Sequence, residues 1–148
     1  MSYRENGVIM FDIKLISNKN IEVILPLLQE LNDQIPLEVL QYRLKEMILS
    51  GYKCVGVYDN SILIGISGMW FLNKYYVGRH VELDNVYILP EYQGRGIGKL
   101  LMNWIFEYAK SKGCIASELN VYTGNKEGQE FWENIGYERI AFHYQKKL

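Results

Sequence analysis

The sequence is poor in cysteine and has no long apolar run. Its two cysteines, Cys54 and Cys114, belong to no motif with metal-ligand spacing, and both lie in strand-like stretches. Such cysteines usually act as small core residues. No apolar run approaches the ~20 residues that a membrane-spanning helix needs. We therefore expect no disulfide, no metal and no membrane span, and the lack of an apolar signal core near the N-terminus leads us to expect a cytoplasmic protein.

An excess of charge of one sign is also missing. The 148 residues carry 16 Lys+Arg against 17 Asp+Glu, a formal net charge of −1, without a long basic run. Because non-specific binding to nucleic acid depends on a basic surface, no nucleic-acid partner is expected. No linker, repeat or low-complexity segment interrupts the chain, so residues 1–148 are expected to form a single domain.

What the sequence does have is a regular succession of short apolar stretches. Alternating or continuous apolar runs indicate strands, and apolar residues three or four apart indicate helices. Strands are expected at 11–16, 53–58, 62–70, 81–89, 115–121 and 137–144, and helices at 21–31, 37–48, 96–113 and 128–134. This order predicts an α/β fold in which a mixed sheet has helices on both faces, with one right-handed parallel crossover.

The centre of this arrangement reads strand, glycine loop, helix. Pro90 ends the strand because it cannot donate to a ladder, and Gly94, Gly96 and Gly98 follow within five residues. Glycines let a backbone approach a ligand closely, and the first N–H groups of a helix have no partner within it. Together with the helix dipole they predict an anion site, most naturally for a phosphate. The alternative is a tight turn that serves packing alone.

Two familiar phosphate motifs fit this loop poorly. A P-loop requires Ser or Thr where the chain has Leu100, and a dinucleotide loop requires a third glycine where the chain has Lys99. Glu118 lies near the expected place of a ribose-binding acid. Nucleotide binding therefore stays open as a weaker alternative.

The pattern Gln-x-x-Gly-x-Gly over 93–98 fits better, and it resembles the acetyl-CoA loop of the GNAT N-acetyltransferase superfamily. A second stretch resembles another block of that family, Asn-x-x-Ala-x-x-Phe-Tyr-Glu-x-x-Gly-Phe. In this chain the block reads Asn125-x-x-Gly128-x-x-Phe131-Trp132-Glu133-Asn134-x-Gly136-Tyr137. The two blocks occur in the family's order and spacing within 81–144.

The resemblance implies a fold and a donor substrate. The fold would be a GNAT-like mixed, mostly antiparallel sheet of six to seven strands with about four helices on both faces and splayed central parallel strands. Acetyl-CoA would be the acetyl-donor co-substrate, with its pyrophosphate on the glycine loop and its pantetheine arm along the preceding strand. The residues assigned to this binding are Val86, Tyr87, Ile88, Gln93, Gly94, Arg95, Gly96, Ile97, Gly98, Lys99 and Asn125. For Asn125, a helix N-cap is an equal alternative.

The resemblance also implies an acyltransferase in which an amine attacks the thioester directly in a ternary complex. A lysine-like amine has a pKa near ~10.4 and must lose a proton, so a base is needed. Glu82 is the expected base, because it precedes Gln93 by eleven residues, as a catalytic glutamate does in the lysine-acetylating branch. Asp84 is the next candidate, and a bulge would decide which of the two faces the substrate. The N–H of Val86 or Tyr87 is the expected oxyanion donor.

One position departs from the family pattern. Trp132 stands where the family has a tyrosine acid, and an indole N–H cannot serve as an ordinary proton-transfer acid. Tyr122 and Tyr137 are the substitutes nearest in sequence, and we name Tyr137 as the third catalytic candidate. His80 is expected at the surface. The same departure leaves open a non-catalytic acyl-CoA-binding or regulatory module.

The acceptor is expected to be a small-molecule amine or a protein amine. By resemblance, the first two helices and the loop over 72–79 would form the acceptor side. They contain acids and aromatic residues that suit a cationic amine. A homodimer through the last strand is left open.

Overall fold

The computed structural model describes residues 2–5 and 8–148, with side chains described from residue 11 onward. The strands are β1 Ser2–Glu5, β2 Val8–Leu15, β3 Lys53–Asp59, β4 Ile62–Lys74, β5 Gly78–Ile88 and β6 Ala116–Leu119. The helices are α1 Leu25–Leu31, α2 Leu37–Leu49, α3 Ile97–Ser111 and α4 Lys126–Asn134, with 3₁₀ turns at Asn18–Ile24 and Pro90–Tyr92. Within the described ranges, none of the helices combines the length and apolar character that crossing a bilayer requires.

The strands form one sheet in the order β1-β2-β3-β4-β5-β6. Of the described strand pairs only β5–β6 is parallel, which confirms the mixed, mostly antiparallel sheet. The strand predicted over 137–144 is wrong, because residues 137–148 contain neither helix nor strand. Its alternating side chains, Ile140, Phe142 and Tyr144, are exposed and add nothing to the core. Five strands, β2–β6, make the body of the sheet, which is fewer than the predicted six to seven. The four-residue β1, which the sequence pattern did not predict, extends the edge of this body.

Helices cover both faces of the sheet, as predicted. On one face, α3 packs its buried stripe of Ile97, Leu101, Met102, Ile105 and Ala109 against the strands. On the other face, Leu25 and Leu27 of α1 and Leu40 and Leu44 of α2 form a second core. The pattern over 21–31 begins as a 3₁₀ turn and becomes α1 at Leu25, because proline in the first helical turn sacrifices no hydrogen bond.

The parallel pair of strands opens partway along its length. β6 lies beside β5 from His80, opposite Ala116, to Leu83, opposite Leu119. Residues 84–88 of β5 extend past the end of β6 and keep only their β4 partner among the described strands. This opening, which we call the fork, begins after Leu83 and Leu119 and matches the splayed parallel strands expected from the resemblance.

A β-bulge lies directly beyond the fork. The register of β4 and β5 shifts between Ile66 and Gly68, so that two residues of β5, Asn85 and Val86, oppose the single residue Ser67. Asn85 has φ 40°, in the left-handed region that asparagine tolerates better than most residues. The bulge changes which backbone groups and side chains β5 presents beyond this point.

Buried side chains fix this bulge from the α1–α2 side. The hydroxyl of Tyr52 donates to Oδ1 of Asn85 at 3.0 Å. Burial raises the pKa of Tyr52, which keeps its hydroxyl protonated. Gly68 faces both, and a Cβ there would lie 2.5 Å from the Tyr52 ring and 2.7 Å from Asn85 Oδ1. Glycine is therefore the residue that allows this close packing.

Candidate active site

The glycine loop leaves the N-terminus of α3 open. Gly96 precedes the helix with φ 79°, Gly94 has φ 75°, and a Cβ at either would meet no atom within 4 Å. The first intrahelical bond runs from the N–H of Leu100 to the carbonyl of Gly96. In the described part of the chain no side chain caps α3, so the N–H groups of its first turn stay available to an anion.

The neighbouring side chains shape the walls of this loop. The Arg95 guanidinium lies over the rings of Phe11 and Tyr92, with centroid distances of 5.6 and 5.3 Å. The Tyr92 hydroxyl donates to Oδ2 of Asp59 at 2.6 Å. Arg95 is thus held by cation–π contacts and keeps its charge beside the loop. Behind the loop, a Cβ on Gly98 would touch the ring of Phe131 at 3.2 Å, so this glycine allows α4 to pack closely.

The bulge sets which backbone groups of β5 face the fork. Before it, the carbonyl of Arg79 accepts from Ile115 on the β6 side, so odd-numbered residues face β6. After it, the N–H of Leu89 donates to Ile64 of β4, so odd-numbered residues face β4. Val86 and Ile88 therefore present their backbone to the fork. The Ile88 carbonyl accepts from Nε2 of Gln93 at 2.8 Å, which ties the loop to the strand.

The two acidic candidates lie on the same face of β5, toward α1 and α2. Their neighbours Val81 and Leu83 pack into the α3 core, so alternation turns Glu82 and Asp84 the other way. Glu82 Oε1 lies 3.4 Å from Nζ of Lys74. The exposed Asp84 accepts from the indole N–H of Trp70 at 3.2 Å. Both acids thus reach the side expected for the acceptor.

A further acid joins them from α1. Beyond the bulge, the side chain of Tyr87 also turns toward α1, and its hydroxyl donates to Oε2 of Glu30 at 2.9 Å. Glu30 therefore lies at the outer end of a partly exposed surface that also contains Trp70 and Asp84. No single sequence motif connects these residues, because they come from α1, β4 and β5.

Asn125 occupies the N-cap of α4. Its Oδ1 accepts from the N–H of Gly128 at 2.9 Å, and a Cβ on Gly128 would collide with the Asn125 side chain. The structure thus shows the capping role that was the alternative in the sequence. The amide Nδ2 is the group of Asn125 left to donate to a ligand.

Tyr137 lies on the other face of the sheet from Glu82 and Asp84. Its hydroxyl lies 2.5 Å from Oγ of Ser117, and its ring packs against Trp132 and Phe106. Burial raises the pKa of Tyr137 to about 12. The structure does not bring Tyr137 together with the two acids, and Trp132 belongs to the same packed aromatic group.

His80 is not at the surface, as the sequence suggested, but has 0 % of its area exposed. Its Nε2 lies 3.3 Å from Oε1 of Glu118, and Glu118 pairs with Glu82 across the parallel strands. Glu118 and His80 are far apart in sequence, so only the strand register reveals this contact. The sequence held only a weak indication that His80 joins an acidic group: His80 and Glu82 share a strand face because they are two residues apart.

These features define a sheet that forks beside an anion-binding loop, with acids on one side of the fork. The chain belongs to the acetyltransferase (GNAT) family, whose model matches residues 24–137. This confirms the resemblance carried by the two sequence blocks and the prediction of an acyltransferase.

Curated relatives are named as N-acetyltransferases. The thialysine N-ε-acetyltransferase of Mus musculus is 31 % identical over 86 residues, covering 58 % of this chain and 51 % of the relative. The aminoalkylphosphonate N-acetyltransferase of Salmonella typhimurium is 28 % identical over 67 residues, covering 45 % of this chain and 44 % of the relative. The chain thus spans about half the length of the curated relatives it matches.

Solved structures show the same fold. The aminoglycoside acetyltransferase AAC(6')-Iy, in complex with a bisubstrate analogue of CoA, aligns with a TM-score of 0.79 at 19 % identity. The alignment covers 93 % of this chain and 99 % of that one. An acetyltransferase of Trypanosoma brucei aligns with a TM-score of 0.74 at 19 % identity, with the same coverage. At this identity the likeness concerns the fold.

Proposed function

We propose that the protein transfers the acetyl group of acetyl-CoA to a small cationic primary amine, by direct attack in a ternary complex. The observation that carries this proposal is the open N-terminus of α3 directly beside the unpaired edge of β5. Helix α3 offers N–H groups for the pyrophosphate, and strand β5 offers an extended backbone for the pantetheine arm, which contains two amides. Membership of the acetyltransferase family supports the reaction class.

The residues at the loop fit the donor. Among the described residues, no atom beyond the chain neighbours lies within 4 Å of where a Cβ on Gly94 or Gly96 would stand, so phosphate oxygens could approach the backbone closely. Arg95 and Lys99 add positive charge. The pantetheine arm would pair with the backbone of Val86 and the N–H of Ile88. When bound, acetyl-CoA supplies an activated acetyl thioester. The group that leaves is the CoA thiolate, and because its thiol has a pKa of about 8.5, it needs little help from an acid.

The other side of the fork suits a cationic amine. Asp84 and Glu30 supply negative charge, while Trp70 and Tyr87 supply aromatic faces and fix the two carboxylates by hydrogen bonds. The relatives named for thialysine and for aminoalkylphosphonates support a small primary amine as the acceptor class. The non-catalytic binding module has no comparable support.

We assign the proton acceptor to Asp84 in preference to Glu82. Asp84 lies at the opening of the fork, is exposed, and has its carboxylate oriented by the indole of Trp70. Glu82 lies in the paired part of β5 and is already matched with Lys74. The amine proton passes to the Asp84 carboxylate, directly or through a water. The N–H of Val86, which faces the fork, donates to the carbonyl oxygen that gains charge.

A matched pair of variants at Gly96 tests the donor site. Both Asn and Asp tolerate φ near 79° and both can cap a helix, but only Gly96→Asp places a negative charge where the pyrophosphate would bind. Acetyl-CoA at a hundredfold its Kd should stabilise the wild type by ~2.7 kcal/mol. We expect Gly96→Asp to lose most of the rise in Tm and Gly96→Asn to keep more of it.

The catalytic part of the proposal has its own readout. Wild-type protein should release CoA thiol from acetyl-CoA in the presence of small primary amines, and Gly96→Asp should do so with a strongly raised KM for acetyl-CoA. A wild-type protein that is folded and shows no rise in Tm with acetyl-CoA would overturn the proposal. Binding without thiol release over a broad amine panel would instead support the non-catalytic module.

A further inference from the structure

We propose that His80, Glu82 and Glu118 form a binding site for a divalent transition-metal ion, with Zn²⁺ the best match. Each residue offers one ligand atom, and the three atoms lie within 4.8 Å of one another. His80 and Glu82 come from β5 and Glu118 from β6, in the paired segment just before the fork. Metal binding here is independent of acetyl transfer, because the site uses neither the glycine loop nor Asp84.

The hydrogen-bond partner of His80 selects one tautomer of its neutral imidazole. Its Nδ1 lies 2.9 Å from the carbonyl oxygen of Gly78. A carbonyl can only accept, so Nδ1 carries the hydrogen and Nε2 of the neutral ring presents its lone pair. A backbone carbonyl that fixes the second nitrogen in this way is the usual arrangement behind a metal-binding histidine.

That lone pair is buried and unused. Among the described residues, Nε2 of His80 has no hydrogen-bond partner, although Oε1 of Glu118 lies 3.3 Å away. The pair is close enough for a hydrogen bond but forms none, because Nε2 has no hydrogen to donate in this tautomer. A nitrogen lone pair facing a carboxylate is repulsive, and an unsatisfied buried polar atom costs free energy. A cation placed between the two atoms would remove both costs.

The spacing matches zinc geometry. Zinc binds histidine nitrogen and carboxylate oxygen at about 2.0–2.2 Å, and in a tetrahedral site two such ligand atoms stand about 3.3–3.5 Å apart. The observed 3.3 Å between His80 Nε2 and Glu118 Oε1 equals such an edge. A small rotation of the half-buried Glu82 side chain would bring its oxygen to a third corner, with water as the fourth ligand.

Charge also favours a cation at this place. Two carboxylates carry charge −2, and Lys74, 3.4 Å from Glu82, is the neighbouring cation that offsets part of it. A divalent ion would balance the carboxylates fully and release Lys74 to solvent. Because Glu82 and Glu118 face each other one residue pair before the fork, the ion would link β5 to β6 and hold the fork at its base.

The test uses the full chain without a histidine tag, freed of metal with a chelator. Calorimetric titration with ZnCl₂ should give one ion per chain, and CoCl₂ should give the visible bands of a four-coordinate ion without a thiolate band. Glu118→Gln keeps the shape of the side chain and should lower Zn²⁺ affinity by about tenfold or more. His80→Gln should do the same, while its matched control at the exposed histidine, His143→Gln, should bind as the wild type does.

A second measurement covers the case in which His80→Gln fails to fold. At one Zn²⁺ concentration, the Tm should rise in the wild type and in His143→Gln, and it should rise clearly less in Glu118→Gln, which lacks one ligand. Glu118 is partly exposed, so its replacement should leave the protein folded. Three results would each overturn the proposal: no Zn²⁺ binding to the wild type, equal affinity in Glu118→Gln, or a Co²⁺–thiolate band that places the ion on Cys54 or Cys114.

Discussion

At the scale of single residues, Glu82 and Asp84 show how two similar side chains on one strand acquire different surroundings. Glu82 sits opposite Glu118 in the paired part of β5 and contacts Lys74. Asp84 lies past the last β6 partner, and its carboxylate accepts a hydrogen bond from the indole N–H of Trp70. A base must reach the amine before its strength matters, so the exposed carboxylate at the fork is favoured.

We expect Asp84→Asn to lower kcat by about 10²–10⁴-fold, the usual contribution of a general base. Its matched control, Glu82→Gln, should change kcat by less than about tenfold. Steady-state kinetics with a chelator present measures both, and thermal unfolding shows that both variants are folded. The reverse order of the two effects would return the base to Glu82, as the sequence alone suggested.

Residue roles were predictable where they depend on neighbours in sequence. Gly94 and Gly96 have a positive φ and open space around the missing side chain, as their place in a glycine-rich loop indicated. The role of Tyr137 was not readable in the same way, because the face of the sheet on which it packs is set by the path of the chain after α4. His80 was misjudged for a similar reason: its burial follows from the β5–β6 register, which joins residues far apart in sequence.

At the scale of elements, the bulge in β5 is the feature that organises the site. Without the extra residue, alternation would continue and Val86 would turn its backbone toward β4 instead of the fork. The hydrogen bond from Tyr52 to Asn85 and the absence of a side chain at Gly68 hold the bulge in place. The geometry of the fork therefore depends on a residue of β4 and on Tyr52, just before β3.

We expect Gly68→Ala to destabilise the protein by about 1–3 kcal/mol, as overpacking of a tight core usually does. The new methyl group would overlap the ring of Tyr52 and Oδ1 of Asn85, so the bulge must shift and kcat should fall as well. The matched control is Gly124→Ala, where a Cβ would meet nothing within 4 Å. Chemical denaturation gives the stability and the amine assay gives kcat. A Gly68→Ala protein with wild-type stability and kcat would show that the bulge does not depend on this packing.

The strand–loop–helix unit was predictable as an element because its signals are local: a proline, three glycines and a helical apolar stripe. The bulge was only suggested, by resemblance, since it depends on which strands pair. The last strand was predicted wrongly because the local pattern does not show whether a partner strand is present. Alternation over 137–144 indicates a strand, but a strand exists only where a partner strand accepts its hydrogen bonds.

At the scale of the whole molecule, one sheet separates two hydrophobic cores. The core on the α3 side contains Ile105, with 0 % of its area exposed, and the core on the α1–α2 side contains Leu44, with 2 %. Strands β3 and β4 contribute side chains to both cores, so neither core can form without the sheet that the other also needs. That residues 1–148 fold as a single domain stays a prediction, and the shared sheet makes it testable.

We expect the two cores to unfold in one cooperative transition. Ile105→Ala and Leu44→Ala should each destabilise the protein by about 2–5 kcal/mol, because each leaves a cavity in a packed core. Since the two sites lie on opposite faces of the sheet and share no contact, their effects should add in the double variant within about 0.5 kcal/mol. Leu49→Ala, at a leucine that is 83 % exposed, is the control and should change stability by less than about 0.5 kcal/mol. Denaturation followed by tryptophan fluorescence and by circular dichroism checks all four proteins. If the fluorescence and circular dichroism curves coincide, both cores belong to one folding unit. If a variant shifts only part of the transition, the chain contains two units that fold separately.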